Sequence, residues 1–193
     1  MKKKAVFLDR DGTINVEKHY LHKIEEFEFL PGVIDGLRIL QDLGFLLIII
    51  TNQSGIGRGY YTENDFEVLN SWMLITLQKH GIKIAKVYYC PHLSDAKIDK
   101  YKVVCTCRKP LLGMYEQAIC DFNIDIVHSW AIGDKIRDCA ICEKYDCKGF
   151  LVAENENPKV ISKVKAKQMK NVDYALDLLE SAKVIKSVME DEK

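Results

Sequence analysis

The sequence predicts an α/β fold, a three-layer αβα sandwich built around a parallel sheet. The first observation is that short apolar runs, such as AVFL at residues 5–8 and FLLIII at residues 45–50, stop abruptly at polar residues. Such runs are typical of strands that are buried on both faces. The second is that segments with apolar residues at helical spacing lie between these runs. Alternating strands and helices favour right-handed βαβ crossovers, which place the strands in parallel.

The individual elements follow from their start and stop residues. The apolar runs predict strands at 5–8, 45–51, 87–90, 129–132 and 150–152. Helical spacing predicts helices from 33 to Gly44, from Thr62 to Gly81, and at about 114–122, 136–144 and 178–189. A glycine commonly follows the last turn of a helix, and Thr with Asp three residues later is typical of a helix start. The predicted sheet is therefore parallel and Rossmann-like.

Composition and charge predict a single globular domain over residues 1–193. The 28 Lys and Arg residues balance 28 Asp and Glu residues, so no overall basic charge attracts nucleic acid or an anionic membrane. No apolar stretch approaches the ~20 residues of a membrane span, and only four apolar residues follow Lys2–Lys4, too few for a signal peptide. We expect a cytoplasmic protein with no nucleic-acid or membrane partner. The lack of an obvious apolar stripe favours a monomer.

Polar residues collect where the predicted strands end, or just before a helix. In open α/β sheets, ligands bind beyond the carboxyl ends of the strands. Two adjacent carboxylates there repel each other unless a cation or a shared proton intervenes. The alternative is a solvated turn, but the number of clusters favours a site. The clusters are Asp9 with Asp11, Thr51-Asn52-Gln53-Ser54, Lys109, and Asp134 with Asp138.

The string D-x-D-G-T after a buried strand, followed in order by Thr51, Lys109 and an acidic pair, resembles the haloacid dehalogenase superfamily of phosphotransferases. The resemblance implies that Asp9 is the nucleophile and Asp11 the general acid and base. It also implies a catalytic Mg²⁺, and transferring oxygens held by Thr51, Asn52 and Lys109. Asp138 is expected to orient Lys135 or a metal-bound water. The implied Mg²⁺ ligands are a carboxylate oxygen of Asp9, the backbone carbonyl of Asp11 and the carboxylate of Asp134.

The spacing between these motifs excludes a large cap domain. Only 19 residues separate Asp11 from Pro31. The segment from Thr51 to Lys109 has room for one helix, one strand and one loop. The site should therefore be open to solvent, and loops should select the substrate.

A second constellation predicts a zinc-bound loop insertion at about residues 90–107. The pattern Cys-x-His-x12-Cys-x-Cys offers three thiolates and one imidazole, a complete tetrahedral set for Zn²⁺. Four protein ligands leave no open position, so this zinc should be structural. The residues between the pairs are polar and are not expected to build a core. The alternative is four unrelated side chains. The proposed ligands are Cys90, His92, Cys105 and Cys107.

The other cysteines have a different pattern. Cys139 and Cys142 lie three residues apart in a predicted helix, which is typical of small core side chains. A redox or second-metal role for these two and for Cys147 is the alternative.

A closer resemblance narrows the substrate. D-R-D-G-T-I-N, T-N-Q-S-G and the loop that ends in Cys-Arg-Lys-Pro resemble the heptose bisphosphate phosphatase family, and imply a small phosphorylated sugar as substrate. Arg108 suits a second, non-reacting phosphate because its planar fork binds phosphate through two hydrogen bonds. Two alternatives stay open, namely a histidinol-phosphate phosphatase and a zinc-stabilised binding module without catalysis. The implied substrate contacts are Glu17, Lys18, His19, Tyr20, Thr51, Asn52, Gln53, Ser54, Arg108, Lys109 and Lys135.

Overall fold

The computed structural model describes residues 2–152 and 166–191. Six strands form one parallel sheet in the order β3-β2-β1-β4-β5-β6. This confirms the α/β class and the parallel sheet. The strands are β1 (Ala5–Leu8), β2 (Leu46–Asn52), β3 (Ile84–Cys90), β4 (Trp130–Gly133), β5 (Lys148–Val152) and β6 (Val172–Ala175).

Helices cover both faces of this sheet. Alternate residues of β1 enter two different cores, Val6 and Leu8 one, Ala5 and Phe7 the other, as expected for a strand buried on both faces. Three layers follow from this arrangement. The helices are α1 (Val33–Asp42), α2 (Ser54–Gly57), α3 (Glu63–Lys79), α4 (Gly113–Phe122), α5 (Ile141–Lys144) and α6 (Leu178–Asp191), with short 3₁₀ turns at Ile24–Glu26, Asp99–Tyr101 and Ile136–Cys139.

Strand register brings the polar strand ends together. Leu8 pairs with Ile49 of β2 on one side and with Ile132 of β4 on the other. Asp9 directly follows Leu8 in the chain. Thr51 and Asp134 lie two residues after Ile49 and Ile132, so all three polar residues come out at the same edge of the sheet. The central place of β1 puts the Asp9 carboxyl at the middle of this edge.

The structure corrects one predicted element and adds one that was not predicted. The predicted helix at 136–144 is a 3₁₀ turn followed by the single turn α5. The 3₁₀ turn packs so closely on β4 that a Cβ at Gly133 would collide with the side chain of Asp138. The sequence analysis also missed β6, because four residues that include Asp173 give too weak a signal for an edge strand.

The loop that carries the Cys and His residues has a small apolar core, contrary to expectation. Leu93, Ala96 and Tyr101 are buried against Ile56 and Phe66. Spaced apolar residues in a polar segment gave no periodic signal, so the contact with α2 and α3 was not predictable. In the described segments, no helix is both long and apolar enough to cross a membrane.

Candidate active site

A buried cluster of three carboxylates and one ammonium lies at the carboxyl edge of the sheet. The Lys109 ammonium is 2.8 Å from Asp9 Oδ1 and 2.6 Å from Asp138 Oδ1. It also donates to the Ile50 carbonyl at 2.6 Å. Asp9 is 6% exposed and Asp134 is 2% exposed. Asp9 and Asp138 therefore share a single cation, deep in the fold.

The electrostatics of this cluster favour a bound cation. Burial, together with the Asp138 charge, raises the pKa of Asp9 to about 6. Burial, then the Asp9 charge, raises the pKa of Asp134 to about 8. Burial acts to lower the pKa of Lys109, but the charges of Asp138 and Asp9 outweigh it and raise that pKa above its usual value. One lysine is thus surrounded by more negative charge than it can neutralise.

The donor set fits a hard divalent cation such as Mg²⁺. Carboxylate oxygens of Asp9, Asp134 and Asp138 lie within 4.8 Å of one another. Asp134 Oδ1 is buried and has no hydrogen-bond partner within the described part of the chain. Gly12 has a φ of +85°, and a Cβ there would collide with the Asp134 carboxylate. Oxygen ligands in this arrangement suit Mg²⁺.

Asp138 has a contact that the sequence analysis did not assign. Its Oδ2 accepts the backbone N–H of Lys135 at 2.9 Å, while its Oδ1 pairs with Lys109. The 3₁₀ turn that replaced the predicted helix places both oxygens. Asp138 therefore holds Lys109 as well as the loop after β4.

Asn52 fixes the segment that carries Lys109. Its side-chain amide donates to the Lys109 carbonyl at 3.1 Å, and its oxygen accepts the Lys109 N–H at 3.0 Å. A residue 57 positions away is thereby locked to the end of β2. Asn52 also lines the cleft described below.

Asp11 is held by a different set of groups. Arg10 donates to both Asp11 oxygens from Nη2 at 2.9 Å, and to Oδ1 from Nε at 3.1 Å. Asn15 and Gln53 donate to Oδ1 and Oδ2 at 3.0 and 2.9 Å. Gln53 also donates to Thr51 Oγ1 and accepts from Tyr61. This network holds the second carboxylate of the D-x-D motif at the cleft.

A polar cleft of about 190 Å³ opens beside Asp11. Seven of the predicted substrate contacts line it directly, while Thr51 and Lys109 are buried. Lys18 does not line it, since its ammonium pairs with Glu28 at 3.2 Å. The Lys135 ammonium lies 3.2 Å from Asp134. The lining residues are Asp11, Glu17, His19, Tyr20, Leu21, Asn52, Gln53, Ser54, Gly55, Tyr61, Arg108 and Arg137.

The loop from Glu17 to Tyr20 forms one wall of the cleft. His19 and Tyr20 have left-handed φ angles of 43° and 64°, which cost energy for residues other than glycine. The Glu17 carboxylate accepts the His19 N–H at 2.9 Å, and the Tyr20 ring packs on Tyr60 with centroids 4.6 Å apart. These contacts hold the strained backbone in place.

Sequence reasoning missed the polar residues Arg10, Tyr61 and Arg137 around the cleft, and it also missed the lining residues Leu21 and Gly55. Arg10 could have been predicted, because a charged residue between Asp9 and Asp11 is expected to lie near their carboxylates. In the structure Arg10 is 1% exposed. Tyr61 reaches Gln53, and Arg137 reaches the cleft, only through the tertiary fold.

The four predicted zinc ligands come together in the loop. Cys90 Sγ lies 3.7 Å from Cys105 Sγ and 3.0 Å from Cys107 Sγ, and His92 Nδ1 lies 3.2 Å from Cys107 Sγ. Bonds of about 2.3 Å to a tetrahedral Zn²⁺ would separate two sulfurs by roughly 3.8 Å. None of the chain's seven cysteines forms a disulfide. The soft donor set and its spacing are compatible with zinc.

The remaining buried cysteines pack in the core below the 3₁₀ turn. Cys139, Cys142 and Cys147 are 0% exposed, and the sulfurs of Cys142 and Cys147 are 3.3 Å apart. They lie in the core that contains Phe7 and Leu151. Their packing agrees with the prediction of small core side chains.

Comparison with known proteins finds phosphatases, both as a matching family and as individual relatives. The family described as "Polynucleotide kinase 3 phosphatase" matches residues 4–176. The D-glycero-beta-D-manno-heptose-1,7-bisphosphate 7-phosphatase of Haemophilus ducreyi is 48% identical over 144 residues, which cover 74% of this chain and 79% of that protein. The Pasteurella multocida protein of the same name is 42% identical over 81% of this chain and 84% of its own length.

Solved structures share the whole fold. A HAD-like phosphatase from Mesorhizobium loti has a TM-score of 0.82 at 26% identity, and the match covers 98% of this chain and 87% of that one. The D,D-heptose 1,7-bisphosphate phosphatase from B. bronchiseptica, solved with magnesium and phosphate, has a TM-score of 0.79 at 25% identity. That match covers 97% of this chain and 99% of the other. The haloacid dehalogenase-like architecture is therefore common to all three.

Proposed function

We propose a function that proceeds from one premise, that this chain belongs to the family of D-glycero-beta-D-manno-heptose-1,7-bisphosphate 7-phosphatases. The protein is a phosphatase of heptose biosynthesis, and it removes the 7-phosphate of the bisphosphate. The observation that carries this function is the ion-paired Asp9–Lys109 couple at the centre of the sheet edge, beside a cleft lined by Arg108. Nucleophile, neutralising cation and room for a second phosphate are thus combined in one place.

Asp9 attacks phosphorus and forms an aspartyl phosphate, while the sugar oxygen leaves. Phosphoryl transfer needs positioned cations because negative charge accumulates on the transferring oxygens. Lys109, 2.8 Å from Asp9 Oδ1, provides a fixed positive charge next to the attacking oxygen. Thr51 lies at the neighbouring strand end, where its hydroxyl can contact the phosphoryl group. Asn52 keeps Lys109 in register with that end.

Asp11 transfers the protons. It gives one to the departing sugar oxygen and takes one from the water that hydrolyses the aspartyl phosphate. Arg10, Asn15 and Gln53 keep its carboxyl at the cleft surface. Proton transfer from this position requires Asp11 to exchange some of these contacts for the substrate oxygen.

The two metal sites have different roles. Asp9 and Asp134, with the Asp11 backbone carbonyl, would hold Mg²⁺, which supplies charge neutralisation for the phosphoryl oxygens. Cys90, His92, Cys105 and Cys107 would hold Zn²⁺, which supplies stability to the loop. The chain's own carboxylates and Lys109 perform the covalent and proton-transfer steps.

The substrate is recognised by loops. Arg108 follows the last zinc ligand and lines the cleft, where its guanidinium binds the non-reacting phosphate. Glu17, His19, Tyr20 and the segment from Asn52 to Ser54 contact the sugar. The further proposal is a monomer that acts on a small molecule in the cytoplasm. The balance of 28 basic and 28 acidic residues supports the absence of a nucleic-acid or membrane partner.

A substrate panel tests this function. Phosphate release would be measured for D-glycero-D-manno-heptose 1,7-bisphosphate (both anomers), histidinol phosphate and a 3′-phosphorylated oligonucleotide. We expect the highest kcat/KM for one anomer of the bisphosphate, with regeneration of activity by Mg²⁺ after brief chelation.

Each other outcome has a definite meaning. A preference for histidinol phosphate would replace the heptose assignment by that amino-alcohol substrate. A preference for the oligonucleotide would favour a polynucleotide 3′-phosphatase activity, which is the activity that the name of the matching family describes. No release from any substrate by zinc-loaded, Mg²⁺-supplied protein would favour a binding module.

A further inference from the structure

The cleft contains a second arginine that the proposed function has not used. Arg137 lies on the 3₁₀ turn after β4, whereas Arg108 lies at the end of the zinc loop. Both line the same cleft, so guanidinium groups enter it from two separate segments of the chain. Charges from separate segments can contact different oxygens of one ligand.

Arg137 makes no short ion pair with the residues that the structure describes. Its shortest ion-pair distance in the described part of the chain is 3.9 Å, from Nε to Asp138 Oδ1. That distance is too long for a hydrogen bond. Asp138 Oδ1 already pairs with Lys109 at 2.6 Å, so Arg137 is not needed to neutralise it. The Arg137 side chain is 44% exposed and can reorient toward a ligand.

Arg108 also has little contact within the described segments that would prevent it from binding a ligand. Its one hydrogen bond within the described segments is from Nη1 to the His92 carbonyl at 3.4 Å, close to the upper limit for such a bond. Arg108 and Arg137 line the same cleft of about 190 Å³, so an anion bound between them would relieve the repulsion between their like charges.

Charge matching selects the kind of anion. A phosphate monoester carries a charge of about −1.5 to −2 at neutral pH. One guanidinium neutralises roughly half of it, whereas two neutralise all of it. The carboxylates of Asp11 and Glu17 line the same cleft and would repel a phosphate placed beside them. A phosphate held away from them, at the two arginines, avoids that repulsion.

We propose that Arg137 is a specificity-determining residue, and that together with Arg108 it clamps the non-reacting phosphate of a sugar bisphosphate. This inference rests on the proposed function. It adds the 3₁₀ turn after β4 to the substrate-binding surface and assigns the second phosphate to a pair of cations. A monophosphate ester gains nothing from Arg137.

The test compares Arg137→Gln with wild type on heptose 1,7-bisphosphate and on p-nitrophenyl phosphate. We expect kcat/KM for the bisphosphate to fall about tenfold, mostly through a higher KM, because one charge-assisted hydrogen bond is lost. The value for p-nitrophenyl phosphate should stay within about twofold. Arg38→Gln is the matched control, since Arg38 has a side chain that is 45% exposed and does not line the cleft.

A double variant and a binding measurement separate the clamp from general damage. If Arg108 and Arg137 bind the same phosphate, the loss in the Arg108→Gln/Arg137→Gln enzyme should differ from the product of the single losses. Calorimetry should show weaker binding of heptose 1-phosphate, which keeps the second phosphate, to Arg137→Gln than to wild type and to Arg38→Gln.

The outcomes are distinguishable. Unchanged kinetics on the bisphosphate, or equal losses on both substrates, would overturn the role of Arg137 and leave the proposed function intact. A wild-type enzyme that hydrolyses p-nitrophenyl phosphate but not the bisphosphate would overturn the proposed function, and this inference with it.

Discussion

Two regions of the molecule collect titratable side chains, but they hold them in different ways. At the sheet edge, Asp9 and Asp138 are buried and lie within 2.8 Å of the Lys109 ammonium. In the loop, Cys90 is buried, while Cys105 and Cys107 are partly exposed, and the Cys107 sulfur lies 3.0 Å from Cys90 Sγ and 3.2 Å from His92 Nδ1. The first cluster has an internal cation, whereas the second has none.

This difference indicates which region needs its metal for structure. The backbone at the sheet edge is fixed by strand pairing and by the Asn52–Lys109 hydrogen bonds, whatever ion is bound. The loop has only a small apolar core around Tyr101 and Leu93. Metal binding should therefore control chemistry at the sheet edge and stability in the loop. The following predictions test that contrast, from the largest expected effect to the smallest.

Asp9→Asn should abolish turnover, lowering kcat by more than about 10³-fold, because an amide cannot attack phosphorus. The fold should survive, since burial and Asp138 already disfavour the ionised Asp9 carboxylate. Zinc content should also be unchanged. Phosphate release, thermal unfolding and elemental analysis check the three parts. Substantial phosphate release from the purified variant would exclude the covalent mechanism.

Arg108→Ala should impair a bisphosphate far more than p-nitrophenyl phosphate. A lost charge-assisted hydrogen bond is worth roughly 1.5–3 kcal/mol, so kcat/KM for the bisphosphate should fall about ten- to a hundredfold. Lys109→Met is the contrasting variant, because Lys109 serves the reacting phosphoryl group and its loss should damage both substrates. Equal losses in Arg108→Ala would instead show that Arg108 supports the site generally.

Cys105→Ser should lower zinc content and stability before it affects chemistry. We expect Tm to fall by about 5 °C or more, since each kcal/mol corresponds to roughly 2–4 °C for a chain of this size. The kcat for p-nitrophenyl phosphate below the transition should stay within about threefold. Cys120→Ser is the matched control, because Cys120 is an exposed free thiol outside the cluster. Absence of zinc from wild-type protein purified without chelators would contradict the loop assignment.

The smallest predicted effect is a pH dependence of Mg²⁺ binding. The pKa values of Asp9 and Asp134 are raised to about 6 and about 8 in the folded, Mg²⁺-free protein. Their protonated forms thus stabilise the fold at low pH, and this stability is lost as pH rises through those values. Mg²⁺ replaces the protons, so it should raise Tm more at about pH 8.5 than at about pH 6.5.

Thermal unfolding with and without Mg²⁺ at the two pH values measures this difference. The zinc loop should be indifferent to added Mg²⁺, because thiolates are poor ligands for it. Asp134→Asn should abolish most of the pH dependence. An equal Mg²⁺ effect at both pH values would mean that Asp134 is ionised without the metal.

The sequence by itself determined the elements whose signals are local. The apolar run of β1 predicted a strand buried on both faces, and its abrupt end placed Asp9 and Asp11 at the ligand edge. The paired Cys-x-His and Cys-x-Cys motifs predicted one four-ligand cluster, because ligand spacing is a property of short segments. Both predictions depend on chemistry within a few neighbouring residues.

Only the tertiary structure decided the contacts between distant segments. Lys109 reaches Asp9 across 100 positions and Asp138 through an unpredicted 3₁₀ turn, and Arg137 enters the cleft from that same turn. The turn forms because Asp138 packs tightly on Gly133 and accepts the Lys135 N–H, which outweighs the helical propensity of residues 136–144. Packing and hydrogen bonds of this kind depend on which strands become neighbours in the sheet. Local sequence patterns do not predict that strand order.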